Sequence, residues 1–455
     1  MIKPKAASSS KDQAPEPEFQ AINGKRLLFC FDEPELTGEA GLLALAEFEK
    51  GLGLFDKLAG CLRDRRKGSL HGCRDLVAQR AMQIAAGDGD AAGCSRLRAD
   101  PAIKLAVGSE ADLASQPTMS RLENRARPRE LLRMAYALGE LFLDSFEGKA
   151  PEMIVIDMDP TAHLVYGQQQ LSLFSSHVGD SCLMPFHVYD GVTGRLICAA
   201  LRPGKVPTAR EILALLKRIV GRIRSRFPDT RLMFRADSHH SKPAAMDWLA
   251  ENEVDWAVGQ QPNSALRSLV ADRIDRASSD WKLREKSLEN AYPIRRYASV
   301  EYKAASWKEP RRVVCRIEAG PLGTDVRYVS TSLREASARA IYEGVYCDRA
   351  RAELMIKDHK LGLRSDRSPC RSACANQFRL TLHSAVYVLL HRFREKVLAR
   401  TPLARACFQR IRLELLKLAA RVETLKTRVK VHLPLSFRFK QVFVSLAGGE
   451  EERLA

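Results

Sequence analysis

The order of hydrophobic periodicities after residue 151 constrains this chain more than any other feature. MIVIDMD (153–159), CLMPFHVYD (182–190) and RLICAALR (195–202) read as three successive strands. A helix follows, with Ile212, Leu215, Leu216, Ile219, Val220 and Ile223 repeating at helical spacing. Then come a strand RLMFRAD (231–237), a helix near 242–252 and a strand VDWAVGQ (254–260). Few folds are built in the order β-β-β-α-β-α-β.

That order predicts an α/β protein with an RNase H-like mixed-sheet catalytic core. Residues 151–261 form its first part and 331–398 its second. Between them, 262–330 holds short alternating segments such as YPIRRYASVEYKA and RRVVCRIEAG, which predict a β-rich insertion. Residues 1–20 combine Pro, Ser and Lys with few large apolar side chains and predict a disordered lead. A helical N-terminal domain is expected over 21–150, broken by a loop at GDGDAAG (87–93), with Leu131, Met134, Leu138 and Leu141 on one helix face. A helical tail is expected over 399–455. There Phe408, Ile411, Leu415, Leu418, Val422, Leu425 and Val429 alternate spacings of three and four, the pattern of a heptad seam or of a helix packed within its own subunit.

The 455 residues carry 73 Lys plus Arg against 55 Asp plus Glu, a formal net charge of +18. A polyanion is the natural partner, and DNA phosphates release counterions when such a surface neutralises them. No apolar run reaches the roughly 18 residues of a membrane span, and the first residues lack a signal-peptide core, so the expected location is the cytoplasm. Eleven cysteines without paired CxxC spacing argue against both a disulfide framework and structural zinc; Cys370 and Cys374 read as ordinary thiols.

The segment YCDRARAELMIKDHK (346–360) carries the chemistry. On a regular α-helix, at about 100° per residue, Tyr346, Arg349, Glu353 and Lys360 share an arc of about 60°. A carboxylate flanked by a guanidinium, an ammonium and a phenol suits a metal-bound phosphate: the carboxylate takes the ion and the cations meet phosphate oxygens. Asp157 and Asp159 lie two apart on the first strand and share a face, and Asp237 ends the fourth. Carboxylates converging at one sheet edge can hold two magnesium ions about 3.5–4 Å apart. His239 and His240 follow Asp237; hard magnesium prefers oxygen, so they are expected to support Asp237 or to contact DNA.

The spacing Tyr346-x2-Arg349-x3-Glu353-x6-Lys360 matches the Y-(2)-R-(3)-E-(6)-K signature of a large group of DDE transposases from bacterial insertion sequences. The chain further resembles the thirteen-eighty family of insertion sequences. IDMDPT (156–161) and RADSHH (235–240) are similar to its two aspartate strands, and GQQQLSLFSSH (167–177) and LRPGK (201–205) to the segments between them. ANQFRL (375–380), RVETLKTRV (421–429), LRADPAI (97–103) and LASQPTMSRLENR (113–125) resemble its C-terminal and N-terminal portions.

The resemblance implies cut-and-paste transposition by strand cleavage and 3′-hydroxyl strand transfer at terminal inverted repeats, through a hairpin on the transposon end. Asp159, Asp237 and Glu353 would hold two Mg2+ ions, with Mn2+ able to substitute, and Tyr346, Arg349 and Lys360 would act beside them. Asp157 is the reserve for the first ligand. The implied partners are double-stranded DNA, as terminal inverted repeats and as target, and a second copy of the chain in the DNA complex, with no membrane and a nucleoid-associated location. Arg202 and Lys205 after the third strand are candidates for the DNA backbone. Arg121, Asn124 and Arg125, on a helix with Pro117 in its first turn and Ser120-x-x-Glu123 as a capping box, are candidates for end recognition. Trp281 and Trp307 are stacking candidates for a flipped base. The alternatives are a catalytically silent, transposase-derived DNA-binding protein and an RNase H-like nuclease for RNA-containing substrates.

Overall fold

The computed structural model describes residues 18–33, 35–66, 68–287 and 292–448. Positions 1–17 of the expected disordered lead lie outside these. Eight strands form one mixed sheet: β1 (Met153–Pro160), β2 (Phe186–Asp190), β3 (Leu196–Ala200), β4 (Arg231–Ala236), β5 (Val254–Gln260), β6 (Ile294–Tyr302), β7 (Arg311–Gly320) and β8 (Gly323–Thr331). Across the sheet they run β6-β7-β8-β5-β4-β1-β2-β3. Strands β1, β4 and β5 are parallel, whereas β2 runs antiparallel to β1 and β3 antiparallel to β2. The partial order 3-2-1-4-5 with that polarity is the RNase H arrangement.

Alternation along the strands decides which side chains meet water. Ile154, Ile156 and Met158 of β1, Leu232 and Phe234 of β4, and Trp256 and Val258 of β5 share one core with the helices Ala209–Arg226 and Pro243–Glu251. The first of these helices starts at a capping box in which Thr208 Oγ1 accepts from Glu211 N and Glu211 accepts from Thr208 N. Asp157, Asp159 and Arg235 therefore face the other way, toward the segment 346–360 and the long helix Ala373–Lys396.

Expectations for the insertion, the tail and the N-terminal stretch are corrected. The insertion is not purely β-rich: Ser264–Ser268 and Ala271–Ser287 are helices, because Ile274, Ala277 and Trp281 recur at helical spacing and pack on one face of β6–β8. Its strands join the catalytic sheet, since β8 pairs with β5. The tail is not one helix either. Phe408–Ile411 and a π-turn at Arg412–Leu416 give way to a strand Ala420–Thr424, which pairs with Val429–His432 and with Leu36–Thr37. The alternation of 420–424, with Ala420 and Val422 buried, overrides the heptad spacing.

The N-terminal stretch is not helical throughout, since Glu18–Ile22 and Lys25–Leu28 form a hairpin. The helices between Leu42 and Asp144 share one apolar core with Ala373–Lys396, through residues such as Phe55, Met82, Phe378 and Phe393. Each fully buried side chain of this size contributes roughly 1.5–3 kcal/mol relative to exposure. Arg379 of the long helix also meets Glu123 at 3.1 Å and Asp90 at 2.8 Å. Among the described residues, no helix is long and apolar enough to cross a membrane.

Candidate active site

Parallel pairing of β1 with β4 sets Asp157 against Arg235 and Met158 against Ala236. One step further along, on the same face, stand Asp159 and Asp237. Asp237 caps a short 3-10 turn, Ser238–His240. Its Oδ1 accepts from the His239 backbone N–H at 3.0 Å and from His240 Nδ1 at 2.7 Å, and its Oδ2 lies 3.1 Å from His239 Nδ1. Burial alone would raise this carboxyl; the bonds from His240 and His239 outweigh it and hold Asp237 well below the usual carboxylate range. His240 is fully buried and kept neutral by that burial, with its ring against Phe186. The network assigns its proton to Nδ1, which donates to Asp237.

Asp159 has a different environment. Burial pushes its carboxyl up to about 6; the Arg349 guanidinium opposes the shift, and the charges of Asp237 and Glu353 add to it. Arg349 Nη1 donates to Asp159 Oδ2 at 3.0 Å. Asp157, by contrast, has both oxygens engaged by Arg235, at 2.7 Å each, in a fully buried pair.

The segment that brings Arg349 is not a uniform α-helix. Ala340–Tyr346 is π-helical, Cys347–Arg349 is 3-10, Ala350–Lys357 is α-helical and Asp358–Gly362 is π-helical again. The single arc drawn from a constant turn therefore does not describe it. Tyr346 is half-buried, its ring 5.8 Å from the Arg349 guanidinium, and burial raises its phenol. A Cβ at Gly259 of β5 would lie 2.9 Å from the Tyr346 hydroxyl, so the glycine is what lets the phenol reach the strand ends. Lys360 Nζ donates to the carbonyl of Ala162, just beyond β1, at 2.6 Å. Glu353 is exposed on the intervening helix. Among the described residues no three His, Cys, Asp or Glu side chains stand close enough to hold one ion.

Of the DNA-contact candidates, Arg202 is corrected. It is 4% exposed, stacks on Phe186, donates to Met184 O at 3.1 Å and lies 3.5 Å from Glu211, so it ties β3 to the following helix instead of facing solvent. Lys205 is exposed. Arg121, Asn124 and Arg125 are exposed on the helix Gln116–Arg125, and Arg121 and Arg125 line an open hollow of about 480 Å³ with Arg65, Arg66 and Arg98. The expected capping box does not form there: the helix begins after Ser115, which makes no side-chain cap bond, Ser120 lies inside it, and Glu123 is buried on Arg379. Trp281 and Trp307 are buried in the insertion core, which removes both as stacking residues. A more apolar groove of about 470 Å³, between Pro128–Asp144 and Ala209–Arg226, contains none of these carboxylates.

The sequence reading missed Arg235, although alternation from Asp237 places it on the same face and register sets it beside Asp157. It also missed the buried His187, 3.1 Å from His359 and opposite Asp159 on β2.

Residues 19–448 match the family described as Transposase DDE domain group 1. The chain belongs to that family. As a DDE transposase it is an enzyme of DNA cleavage and strand transfer, a class that uses divalent metal ions. Asp159 and Asp237 suit such ions: their carboxylates are hard oxygen donors, and the repulsion between the two charges is what a cation would relieve. No curated protein matches the sequence. A solved structure titled "Cryo-EM structure of piggyBac transposase synaptic complex with hairpin DNA" aligns with 83% of this transposase and 80% of that chain, at 9% identity and a TM-score of 0.42.

Proposed function

We propose that this transposase moves an insertion sequence by cut-and-paste chemistry, with Asp159, Asp237 and Glu353 as its metal-binding carboxylates. One observation carries the reading: Asp159 and Asp237 stand side by side at the ends of adjacent parallel strands, and the segment holding Arg349, Glu353 and Lys360 lies over them. Asp159 is the first ligand and Asp157 is not, since Arg235 occupies both Asp157 oxygens.

Two Mg2+ ions, replaceable by Mn2+, would supply Lewis acidity and charge neutralisation at the scissile phosphate. The protein's own groups do the rest. His239 and His240 fix the orientation of Asp237 and keep it ionised. Arg349 and Lys360 sit where they can take phosphate oxygens, Arg349 exchanging its bond to Asp159 for one to the substrate. Water would attack the phosphorus at the element end and release a 3′-hydroxyl. That hydroxyl then attacks the opposite strand to give a hairpin, a second water opens the hairpin and frees the 3′-hydroxyl again, and the hydroxyl attacks target DNA, each step breaking one P–O bond as it forms another.

The hollow bearing Arg121 and Arg125, with Asn124 on the same helix and Lys205 nearer the strand ends, is the proposed surface for terminal inverted repeats. Two element ends call for two active sites, hence a homodimer on DNA.

The test is purified protein with magnesium and labelled DNA carrying the flanking element ends, comparing the wild type with Glu353→Gln and Asp237→Asn. The wild type should cleave and both variants should not. Repeat binding without cleavage by the wild type would mean a silent DNA-binding relic, and equal cleavage by the variants would overturn the site.

A further inference from the structure

We infer that the buried Asp157–Arg235 pair is a positioning device that sets the Tyr346–Arg349 turn against the strand ends bearing Asp159 and Asp237. This rests on the proposed active site and assigns a role to residues that the chemistry itself leaves unused.

The placement is systematic. Asp157 and Arg235 are the β1 and β4 residues two positions before Asp159 and Asp237, on the same face of the sheet and in register with each other. Arg235 uses three donors. Nε and Nη2 grip the two oxygens of Asp157 at 2.7 Å each, and Nη1 donates to the carbonyl of Val345 at 2.8 Å. A guanidinium is the side chain that can do this, because its donors form a rigid planar fork with one edge for a carboxylate and another left over.

Val345 is where the overlying segment changes pitch. It lies one residue before the end of the π-helix, and the 3-10 turn Cys347–Arg349 follows at once. Such a junction has no uniform ladder to fix its direction, and Arg235 supplies an external anchor. The next residue, Tyr346, places its hydroxyl against Gly259 beside the Asp237 turn, and Arg349 meets Asp159. Both active-site side chains thus hang from a point held by the floor of the sheet.

The pair is also sealed. The chain leaving β2 crosses above it at Gly191, whose backbone N–H donates to Val155 O at 2.7 Å, and a Cβ at that position would overlap Arg235 Nη2 and the Asp157 carboxylate. Asp190 holds this crossing in place by accepting from Val155 N at 3.1 Å and from Thr193 Oγ1. With both side chains 5% exposed or less, the grip is shielded from water and salt.

The experiment uses the full chain and single-turnover cleavage of labelled element-end DNA in magnesium. Arg235→Lys keeps the charge but cannot hold Asp157 and Val345 O together. It is expected to bind DNA as the wild type does and to cleave about a hundredfold more slowly, the scale of a 1 Å misplacement. The decisive readout is coupling with Arg349. In an Arg349→Ala background, Arg235→Lys should add clearly less loss than it causes alone, because part of its effect runs through Arg349. Losses that multiply, or wild-type cleavage by Arg235→Lys, overturn the inference. If Arg235→Lys does not fold, the neutral pair Asp157→Asn with Arg235→Gln takes its place, and full cleavage by that pair overturns it equally. A wild type that does not cleave would instead overturn the active-site proposal itself.

Discussion

Arg349 and Asp159 meet at 3.0 Å although 190 positions separate them in the chain. The guanidinium occupies the place beside the carboxylate that a cation or a phosphate would contest, so it both neutralises Asp159 and stands ready for substrate. Arg349→Ala is expected to slow metal-dependent cleavage by about 10²–10³-fold, the loss typical of one preorganised charged donor. Single-turnover kinetics on element-end DNA measure it, and a change within twofold would refute the role.

The two strand aspartates should separate cleanly. Asp159→Asn is expected to remove cleavage while leaving the chain folded. Asp157→Asn is expected to lower stability by about 3 kcal/mol, because Arg235 is left buried against a neutral partner. Denaturant melts and cleavage assays on both variants decide the matter. If Asp157→Asn is as stable as the wild type yet catalytically dead, the ligand assignment is reversed.

Gly259→Ala tests the approach of Tyr346. The added methyl would crowd both the phenol hydroxyl and the Ser238 backbone nitrogen, at 2.9 and 2.8 Å. The expected cost is about 1–3 kcal/mol of stability, with cleavage falling further than Tyr346→Phe alone produces. Normal cleavage by Gly259→Ala would show that the crowding is relieved without moving the site.

In the hollow, Arg121→Ala and Arg125→Ala should weaken binding to all DNA sequences alike. Each should also lower the slope of log affinity against log salt by about 1. Titrations at several salt concentrations read this directly. An unchanged slope would place the DNA elsewhere.

Away from the site, Glu395 gives a pH signature. Burial would raise its carboxyl, but its neighbours bring it down to about 2. Of these, His391 is held low by its own burial, so Arg195 and Arg392, at 3.2 and 2.9 Å, supply the charge. A depressed folded-state pKa contributes stability that is complete above the unfolded value near 4.5 and lost as pH falls toward 2. Glu395→Gln should therefore be about 2 kcal/mol less stable than the wild type at pH 7, with the gap closing between pH 4.5 and pH 2. A gap that stays constant across that range would show that the pairing carries no such stability.

Much of this was legible in the residues. The five strands β1–β5 and the helices between them follow from periodicity alone, because each has one dry face and a fixed spacing. The spacing of Tyr346, Arg349, Glu353 and Lys360 located the overlying segment even though its pitch changes three times. What was lost was lost for local reasons. The hairpin at 18–28 turns on Asn23-Gly24, with φ of 52° and 73°, a strong two-residue turn signal inside a stretch whose composition otherwise predicts helix. The seam from Phe408 to Val429 satisfies a heptad on paper, yet strand partners at Leu36–Thr37 and Val429–His432 claim 420–424, and no local pattern announces a partner nearly 400 residues away. Arg202 looked like a loop cation because its acceptor Glu211 and its ring partner Phe186 come from other elements.

The helix Ala373–Lys396 is covered on one side by the N-terminal helices and on the other by the catalytic sheet, and Arg379 reaches from it into the acidic pair Glu123 and Asp90. The surface that would read an element's ends and the floor that would cut them are thus two sides of one solid. Such a transposase would not acquire a new end preference by exchanging a front-end module, since the exchange would strip the catalytic half of its packing. On the proposed reading its specificity would drift residue by residue, across exposed positions such as Asn124.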